Sequence, residues 1–130
     1  MKKIIYSLAF VLCFTAISQA QTSVTFNLDM KYALENGLFN DLTNDLFLKG
    51  NISPLSESSA GYLEMTDTAP VDSIYSVVVE FPAIYDTQLL QYNFVIKRLL
   101  TTENEERTRE LTLSGEAEDL PAIKFNSYDW

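Results

Sequence analysis

Two stretches of alternating apolar and polar residues stand out in the second half of the chain. Apolar side chains occupy every second position from Tyr75 to Phe81 and again from Leu90 to Ile96. This period of two is typical of β-strands with one buried face. The connection between them begins with Pro82, which cannot donate a ladder hydrogen bond, and ends in turn-forming residues. The pattern predicts an antiparallel pair of strands at the centre of a sheet.

The first half of the chain predicts two more strands and one helical turn. Residues 24–30 alternate cleanly between apolar and polar side chains, which predicts the first strand. Residues 31–35 can form a helical turn closed by Gly37, because glycine adopts a positive φ at little cost. Residues 46–48 form a short apolar run, which we expect to be a strand buried on both faces.

The remaining segments predict further short strands. Residues 98–100 are expected to continue the second central strand, and the acidic residues 103–106 to form a charged tip. The other short strands are expected at residues 62–65, 109–113 and 123–125. About seven short antiparallel strands with no long helix predict an all-β fold, a single Ig-like β-sandwich.

The first 20 residues have the organisation of a secretory signal peptide. Lys2 and Lys3 precede an apolar run at residues 4–17, and small residues up to Ala20 form a cleavage site. We therefore expect a signal peptide at residues 1–20 and an exported domain at residues 21–130, in the periplasm or outside the cell. The apolar run is too short for a comfortable membrane span, so no stable membrane insertion is expected after cleavage. Cys13 follows Leu12 within that run, which argues against a lipid anchor.

The charge of the chain excludes several classes of partner. It carries nine basic and 18 acidic residues, a net charge of −9. Loss of Lys2 and Lys3 with the signal peptide leaves seven basic residues against 18 acidic ones, or −11. Such a surface repels phosphate backbones and anionic lipids, and no cluster of Lys or Arg offsets it. Nucleic acid is therefore not an expected partner.

Most catalytic and metal-binding arrangements are also excluded by composition. The chain has no histidine, and its single cysteine lies in the signal peptide. This removes Ser-His-Asp and Cys-His nucleophiles and argues against a zinc site. A pair of carboxylates could still serve a glycosidase, but almost any acidic protein meets that condition. We expect a non-catalytic protein without a cofactor.

One loop concentrates oxygen ligands of the kind that calcium prefers. The side chains concerned are Asn36, Asn40, Asp41, Asn44 and Asp45. Their spacing does not match an EF-hand. Asparagine and aspartate in loops usually cap turns by bonding to the backbone, so local capping is the favoured interpretation and no metal site is predicted.

The aromatic residues divide into a predicted core set and a predicted exposed set. On the expected inward faces lie Phe26, Phe47, Tyr75, Phe81, Tyr92, Phe94 and Phe125. The expected exposed set, and hence the candidate ligand-binding residues, is Tyr62, Tyr85, Tyr128 and Trp130. Flat exposed rings are the side chains on which sugars stack, so a glycan is one candidate ligand.

Several segments together resemble a known family. They are residues 24–30, 37–39, 45–50, 72–75 and 92–96, with Arg109 and Phe125-Asn126. In order, they resemble the starch-binding-type carbohydrate-binding domains of secreted bacterial proteins. The resemblance implies an Ig-like sandwich and an association with glycans. Because it rests on strand and turn positions, it speaks more for fold than for ligand.

The chain departs from that family at the positions that usually bind glucan. The family uses a tryptophan after the glycine that ends the second strand, where Leu55 stands nearby here. Asn93 replaces a lysine, and residues 103–106 replace a tryptophan-bearing tip. We expect the usual platform to be lost, leaving an aliphatic patch and negative charge, and neutral α-glucans to bind weakly. Two hypotheses remain: a glycan-associated module with another site, or a structural or protein-interaction sandwich of the bacterial envelope.

Overall fold

The computed structural model describes residues 21–57 and 63–127, and it consists of two β-sheets packed face to face. Its elements in chain order are β1 (Thr22–Asp29), α1 (Lys31–Glu35), β2 (Asp45–Gly50), β3 (Leu63–Met65), β4 (Ile74–Phe81), β5 (Leu89–Lys97), β6 (Thr102–Asn104), β7 (Arg109–Thr112), β8 (Glu118–Asp119) and β9 (Ile123–Lys124). A short 3-10 turn, Ala83–Tyr85, precedes β5. The predicted all-β sandwich is confirmed. The predicted signal peptide lies outside the described residues.

The first sheet has β1 at its centre. β4 pairs with one side of β1 and is antiparallel to it, while β8 and β9 pair with the other side. Both short strands run parallel to β1, so the expectation of antiparallel strands fails for these two. The second sheet has the order β3-β2-β5, with β6 and β7 both pairing with the far side of β5.

The gap between β8 and β9 is bridged by a side chain of β1. Pro121 lies in this gap and cannot donate a ladder hydrogen bond, which explains the interruption. The Asn27 side-chain amide donates to the Leu120 carbonyl at 2.7 Å and to Asp119 Oδ1 at 2.7 Å. The Leu120 N–H still donates to the Thr25 carbonyl at 3.0 Å, and Asn27 holds the segment on the sheet beyond this last backbone bond.

The predicted pairing of the two alternating stretches is wrong, because β4 and β5 belong to different sheets. Each stretch has one apolar face, and two such faces are buried most fully when they oppose each other across the core. The connection turns at Ala83–Tyr85 and then joins the second sheet, where the Thr87 N–H donates to the Leu113 carbonyl at 2.8 Å. It thus crosses between the sheets.

The inward faces predicted for β1 and β5 are confirmed. The apolar positions of β1, from Val24 to Leu28, are at most 1% exposed, and those of β5, from Leu90 to Ile96, at most 7%. The rings of Phe26 and Tyr92 meet edge to face across the core, with centroids 5.0 Å apart. Edge-to-face contact favours the electrostatics of both rings. The core therefore sits between β1 and β5.

One predicted core aromatic lies on the opposite side of its strand. In β2, Leu46 and Leu48 are buried, whereas Phe47 between them is half-buried and points away from the core. The expectation that this strand is buried on both faces is therefore wrong. Strand alternation explains the difference, because Leu46 and Leu48 fill the inner face and Phe47 must take the outer one.

The turn after β5 differs from the prediction. β5 ends at Lys97, and residues 98–101 form a tight tip in which the Arg98 N–H donates to the Thr101 carbonyl at 2.7 Å. Leu99 and Leu100 lie at this tip and are about nine-tenths exposed (89% and 90%). Residues 103–106 are therefore not the tip. Glu103 lies in β6 and forms an ion pair with Arg98 at 2.6 Å.

Glu105 is a buried ionic partner of Arg109. The two side chains are 0% and 2% exposed, and Arg109 Nη2 lies 2.7 Å from Glu105 Oε2. Arg109 Nε donates to Glu105 Oε1 at 3.0 Å, so the contact is bidentate. The carboxylate also accepts the backbone N–H groups of Phe94 at 3.0 Å and Asn126 at 2.9 Å. This single pair ties β5, β7 and the C-terminal segment together.

Two core tyrosines should make the protein sensitive to alkali. Burial raises the pKa of the Tyr92 hydroxyl; Arg109 lowers that pKa and Glu105 raises it. Burial, followed by Asp41 and Asp67, raises the pKa of Tyr75. A folded-state pKa above the unfolded value of about 10 means that the folded state holds the proton more tightly. The contribution of these two tyrosines to stability is then fully present below about pH 10, and it is lost as the pH rises through their folded-state pKa.

We therefore expect the free energy of unfolding, measured by urea titration, to fall above about pH 10. Tyr92→Phe should flatten this fall, because phenylalanine has no proton to lose. Tyr32→Phe is the control, since Tyr32 is 62% exposed on α1. An equal alkaline slope in Tyr92→Phe and the unmodified chain would contradict the assignment.

Candidate functional site

Only one of the four predicted ligand-binding aromatics can be placed. Tyr62, Tyr128 and Trp130 lie outside the described residues. Tyr85 ends the 3-10 turn, where it is half-buried and packs against the core. Part of its ring is therefore used in packing.

The predicted aliphatic surface patch at Leu55 is wrong, because Leu55 is only 2% exposed. The chain after β2 folds back on itself: the Leu55 N–H donates to the Ile52 carbonyl at 2.8 Å, and the Gly50 N–H to the Leu55 carbonyl at 3.2 Å. Leu55 is thereby brought against Gly50. A Cβ added at Gly50 would lie 3.1 Å from the Gln91 carbonyl oxygen and 3.2 Å from Leu55 Cβ, so a side chain here would require these neighbours to shift by a few tenths of an ångström.

Asn93 lies on the side of the second sheet that faces away from the first sheet. The register places it directly opposite Lys49 of β2. Directly opposed residues on one face have Cβ atoms about 4.5–5.5 Å apart. Asn93 stands where the resembled family has a lysine. In this chain Lys49, on the neighbouring strand β2, lies beside that position.

A second row of side chains crosses the same face. In register across the four strands β3, β2, β5 and β6 lie Glu64, Phe47, Val95 and Asn104. Three strand spacings make this row about 14 Å wide. Val95 is 0% exposed although it is on the outer side, so this row is not open to solvent at that position. Phe47 is the aromatic ring of this row.

A third row adds ordered amide groups. Gln91 donates to Glu110 Oε1 at 3.4 Å. Asn51 extends the pairing of β2, because its Oδ1 accepts the Gln91 N–H at 2.8 Å and its own N–H donates to the Gln91 carbonyl at 3.0 Å. We call the three rows together the outer-face patch, which comprises Phe47, Lys49, Glu64, Gln91, Asn93, Val95, Asn104 and Glu110.

The chemistry of the outer-face patch suits a ligand with many hydroxyl groups. A phenyl ring offers an apolar plane, and the side-chain amides of Gln91, Asn93 and Asn104 can each both donate and accept hydrogen bonds. Lys49 supplies donors, and Glu64 and Glu110 supply acceptors.

Sequence reasoning missed Phe47 and Lys49. The apolar run Leu46-Phe47-Leu48 predicts a strand buried on both faces, which assigns Phe47 to the core. Its position between two inward leucines was the available signal, because strand alternation then sends Phe47 and Lys49 to the outer side. The pairing of Lys49 with Asn93 could not be found from either strand alone.

The oxygen-rich loop before β2 caps its own turns. The Asn40 side chain accepts the Leu42 N–H at 2.9 Å, and the Asn44 side chain accepts the Asn40 N–H at 2.9 Å. Asn36 donates from its side chain to the Tyr32 carbonyl at 2.8 Å. Local capping is therefore confirmed for these three asparagines. The described residues contain no group of three acidic side chains placed to hold a metal ion.

Comparisons with known proteins show a shared fold. No family model matches the chain, and no curated protein matches it. Among solved structures, the glucoamylase of Hormoconis resinae matches with a TM-score of 0.58 and 17% identity. The match covers 82% of this chain and 17% of the glucoamylase chain. The chain therefore has a β-sandwich fold that also occurs as part of a glucoamylase.

Within the described residues, no helix has the length and apolar character of a membrane span.

Proposed function

We propose that this chain is a secreted, non-catalytic binding module that associates with glycans through the outer-face patch. The observation that carries the proposal is the position of Phe47, an aromatic ring set among side-chain amides and Lys49 on the outer side of a glucoamylase-like sandwich. Polar groups that both donate and accept hydrogen bonds, placed around an apolar plane, match the two-sided character of a sugar ring. The family resemblance of the sequence supports the same ligand class.

Secretion and the lack of catalysis are parts of this proposal. The N-terminal 20 residues support export, and the absence of histidine supports a binding role. The outer-face patch differs from the usual glucan platform, since it offers one phenyl ring where the family uses tryptophans. We therefore expect maltooligosaccharides to bind with a dissociation constant above about 100 μM, equivalent to about −5.5 kcal/mol.

The proposal is tested by retention on insoluble polysaccharides. We expect the purified protein to bind at least one matrix in a panel of starch, cellulose, xylan and chitin. Phe47→Ala should weaken that binding at least about tenfold, or by about 1.4 kcal/mol, because it removes the aromatic ring that the described residues contribute to the patch. Phe47→Tyr keeps the ring and should retain binding. Binding is measured from depletion isotherms.

Ile84→Ala serves as the control, since Ile84 is 77% exposed on the 3-10 turn and is not part of the outer-face patch. Two results would overturn the proposal. One is a protein that binds no matrix of the panel. The other is Phe47→Ala protein that binds as well as the unmodified protein, which would move the site elsewhere.

A further inference from the structure

Among the described residues, none pairs with the outer edge of the first sheet along the second half of β4. β1 pairs with one side of β4 over its whole length. On the other side, the Ser76 N–H donates to the Thr66 carbonyl at 2.9 Å, and the Thr66 N–H donates to the Ser76 carbonyl at 3.2 Å. Backbone groups of alternate residues point to the same side of a strand, so those of Val78 and Glu80 also point to this edge.

Four backbone groups are consequently open to a further strand. They are the N–H and C=O groups of Val78 and Glu80, to which no described residue forms a hydrogen bond. The open stretch has clear limits. Thr66 closes it at one end, and Pro82, which has no N–H, follows β4 at the other.

The open part of this edge carries one charged side chain, Glu80, but no bulge, lysine or proline within the strand. Exposed edge strands commonly carry a bulge, a lysine or a proline. β4 is eight residues long, pairs with β1 without a bulge, and contains neither lysine nor proline. The side chain at its centre, Val78, is 57% exposed. A regular strand edge with open backbone groups and an exposed apolar side chain is a template for the addition of a short strand.

The surroundings of the edge are acidic. A cleft of about 330 Å³ lies at the closed end, and Thr66 lines it beside Glu64 and Asp67. Asp41 and Asp45 complete its acidic lining, and no Lys or Arg lines it. At the open end, Glu80 is exposed on β4 itself. A strand added here would therefore lie between carboxylates at both ends.

We propose that the edge of β4 at Val78 and Glu80 accepts an extended segment of a basic partner polypeptide, which adds to the first sheet as a further strand. The backbone groups of Val78 and Glu80 provide the hydrogen bonds, and Val78 provides an apolar contact. Lysine or arginine side chains of the segment complement Glu80 and the acidic cleft. A second copy of this chain is a poor fit, because two chains of net charge −9 repel each other.

The test uses NMR with a capped synthetic probe peptide, acetyl-Lys-Val-Thr-Val-Lys-amide. At millimolar peptide, we expect the amide signals of Val78 and Glu80 to shift and their hydrogen exchange to slow. Val78→Pro should weaken binding at least about tenfold, because it removes an edge N–H and blocks pairing. The fold should survive, since that N–H is unbonded in the free protein. Val78→Thr keeps the N–H and should change binding less than about threefold.

Charge is tested separately, in case Val78→Pro also disturbs the strand. Glu80→Lys should weaken binding of the lysine peptide and favour acetyl-Glu-Val-Thr-Val-Glu-amide. The proposal is overturned if the amides of Val78 and Glu80 in the unmodified protein do not respond to the lysine peptide. It is also overturned if the unmodified protein binds the lysine peptide and the glutamate peptide equally. Protection of these amides that grows with protein concentration, without peptide, would also overturn it by making a second copy the occupant.

Discussion

Replacing Arg109 by methionine is expected to lower the free energy of unfolding by about 3–5 kcal/mol. Arg109 and Glu105 are both nearly inaccessible to solvent and form a bidentate pair. Methionine would fill much of the same volume but would leave the Glu105 carboxylate buried with two backbone N–H donors and no countercharge. Removing one partner of a buried pair costs far more than the pair contributes, because the remaining charge cannot be solvated.

Arg109→Lys separates geometry from charge. Lysine keeps the positive charge but cannot form the same two parallel bonds, nor reach the Lys124 and Ser127 carbonyls that Arg109 Nη2 contacts at 3.3 Å. We expect an intermediate loss of stability. The free energy of unfolding of Arg109→Met, Arg109→Lys and the unmodified protein is measured by urea titration, which is followed by circular dichroism. A loss below about 1 kcal/mol in Arg109→Met would show that the fold accommodates Glu105 without its partner.

Replacing Phe94 by alanine is expected to cost about 3–5 kcal/mol of stability. Phe94 is 1% exposed, its ring meets Tyr92 edge to face at 5.9 Å, and the Arg109 guanidinium lies 5.7 Å from its centroid. Alanine would leave a cavity between the sheets and remove both contacts. Urea titration again measures the change in the free energy of unfolding.

Phe47→Ala is the matched control, because Phe47 lies on the neighbouring strand of the same sheet with its ring on the outer side. It should cost clearly less stability than Phe94→Ala. Equal losses in the two variants would mean that the faces of the second sheet are assigned incorrectly. Since Phe94 touches Arg109, the two largest effects should not add in a double variant.

Alternation along single strands could be predicted, whereas the choice of strand partner could not. The inward positions of β1 and β5 follow from a period of two, and the structure confirms them. The same pattern in β4 and β5 is compatible with two strands side by side or with two strands opposed across a core. That choice depends on the crossing of residues 82–88, which local sequence does not reveal.

Single residues within polar segments were harder to predict than strands. Glu105 stands in a run of acidic residues, and nothing in that run distinguishes the one that pairs with Arg109. Leu55 is likewise one apolar residue in a serine-rich loop, yet it is buried against Gly50. In the outer-face patch, Asn93 was singled out from the sequence, but its neighbours Lys49 and Phe47 depend on the register between strands.

The central position of β1 has a consequence for how the chain acquires its structure. β1 is among the first described segments, but its partners come much later: Thr22 pairs with Phe81, and Leu28 with Ile123. A chain that emerges N-terminus first holds this apolar strand without a partner until β4 has followed, and without a neighbour on its other side until residues 118–124 have followed. Pairings between distant segments are slow to form, because the entropy of closing long loops is lost before the contacts are gained. Completion of the first sheet is therefore a late event, governed by the arrival of the C-terminal segment.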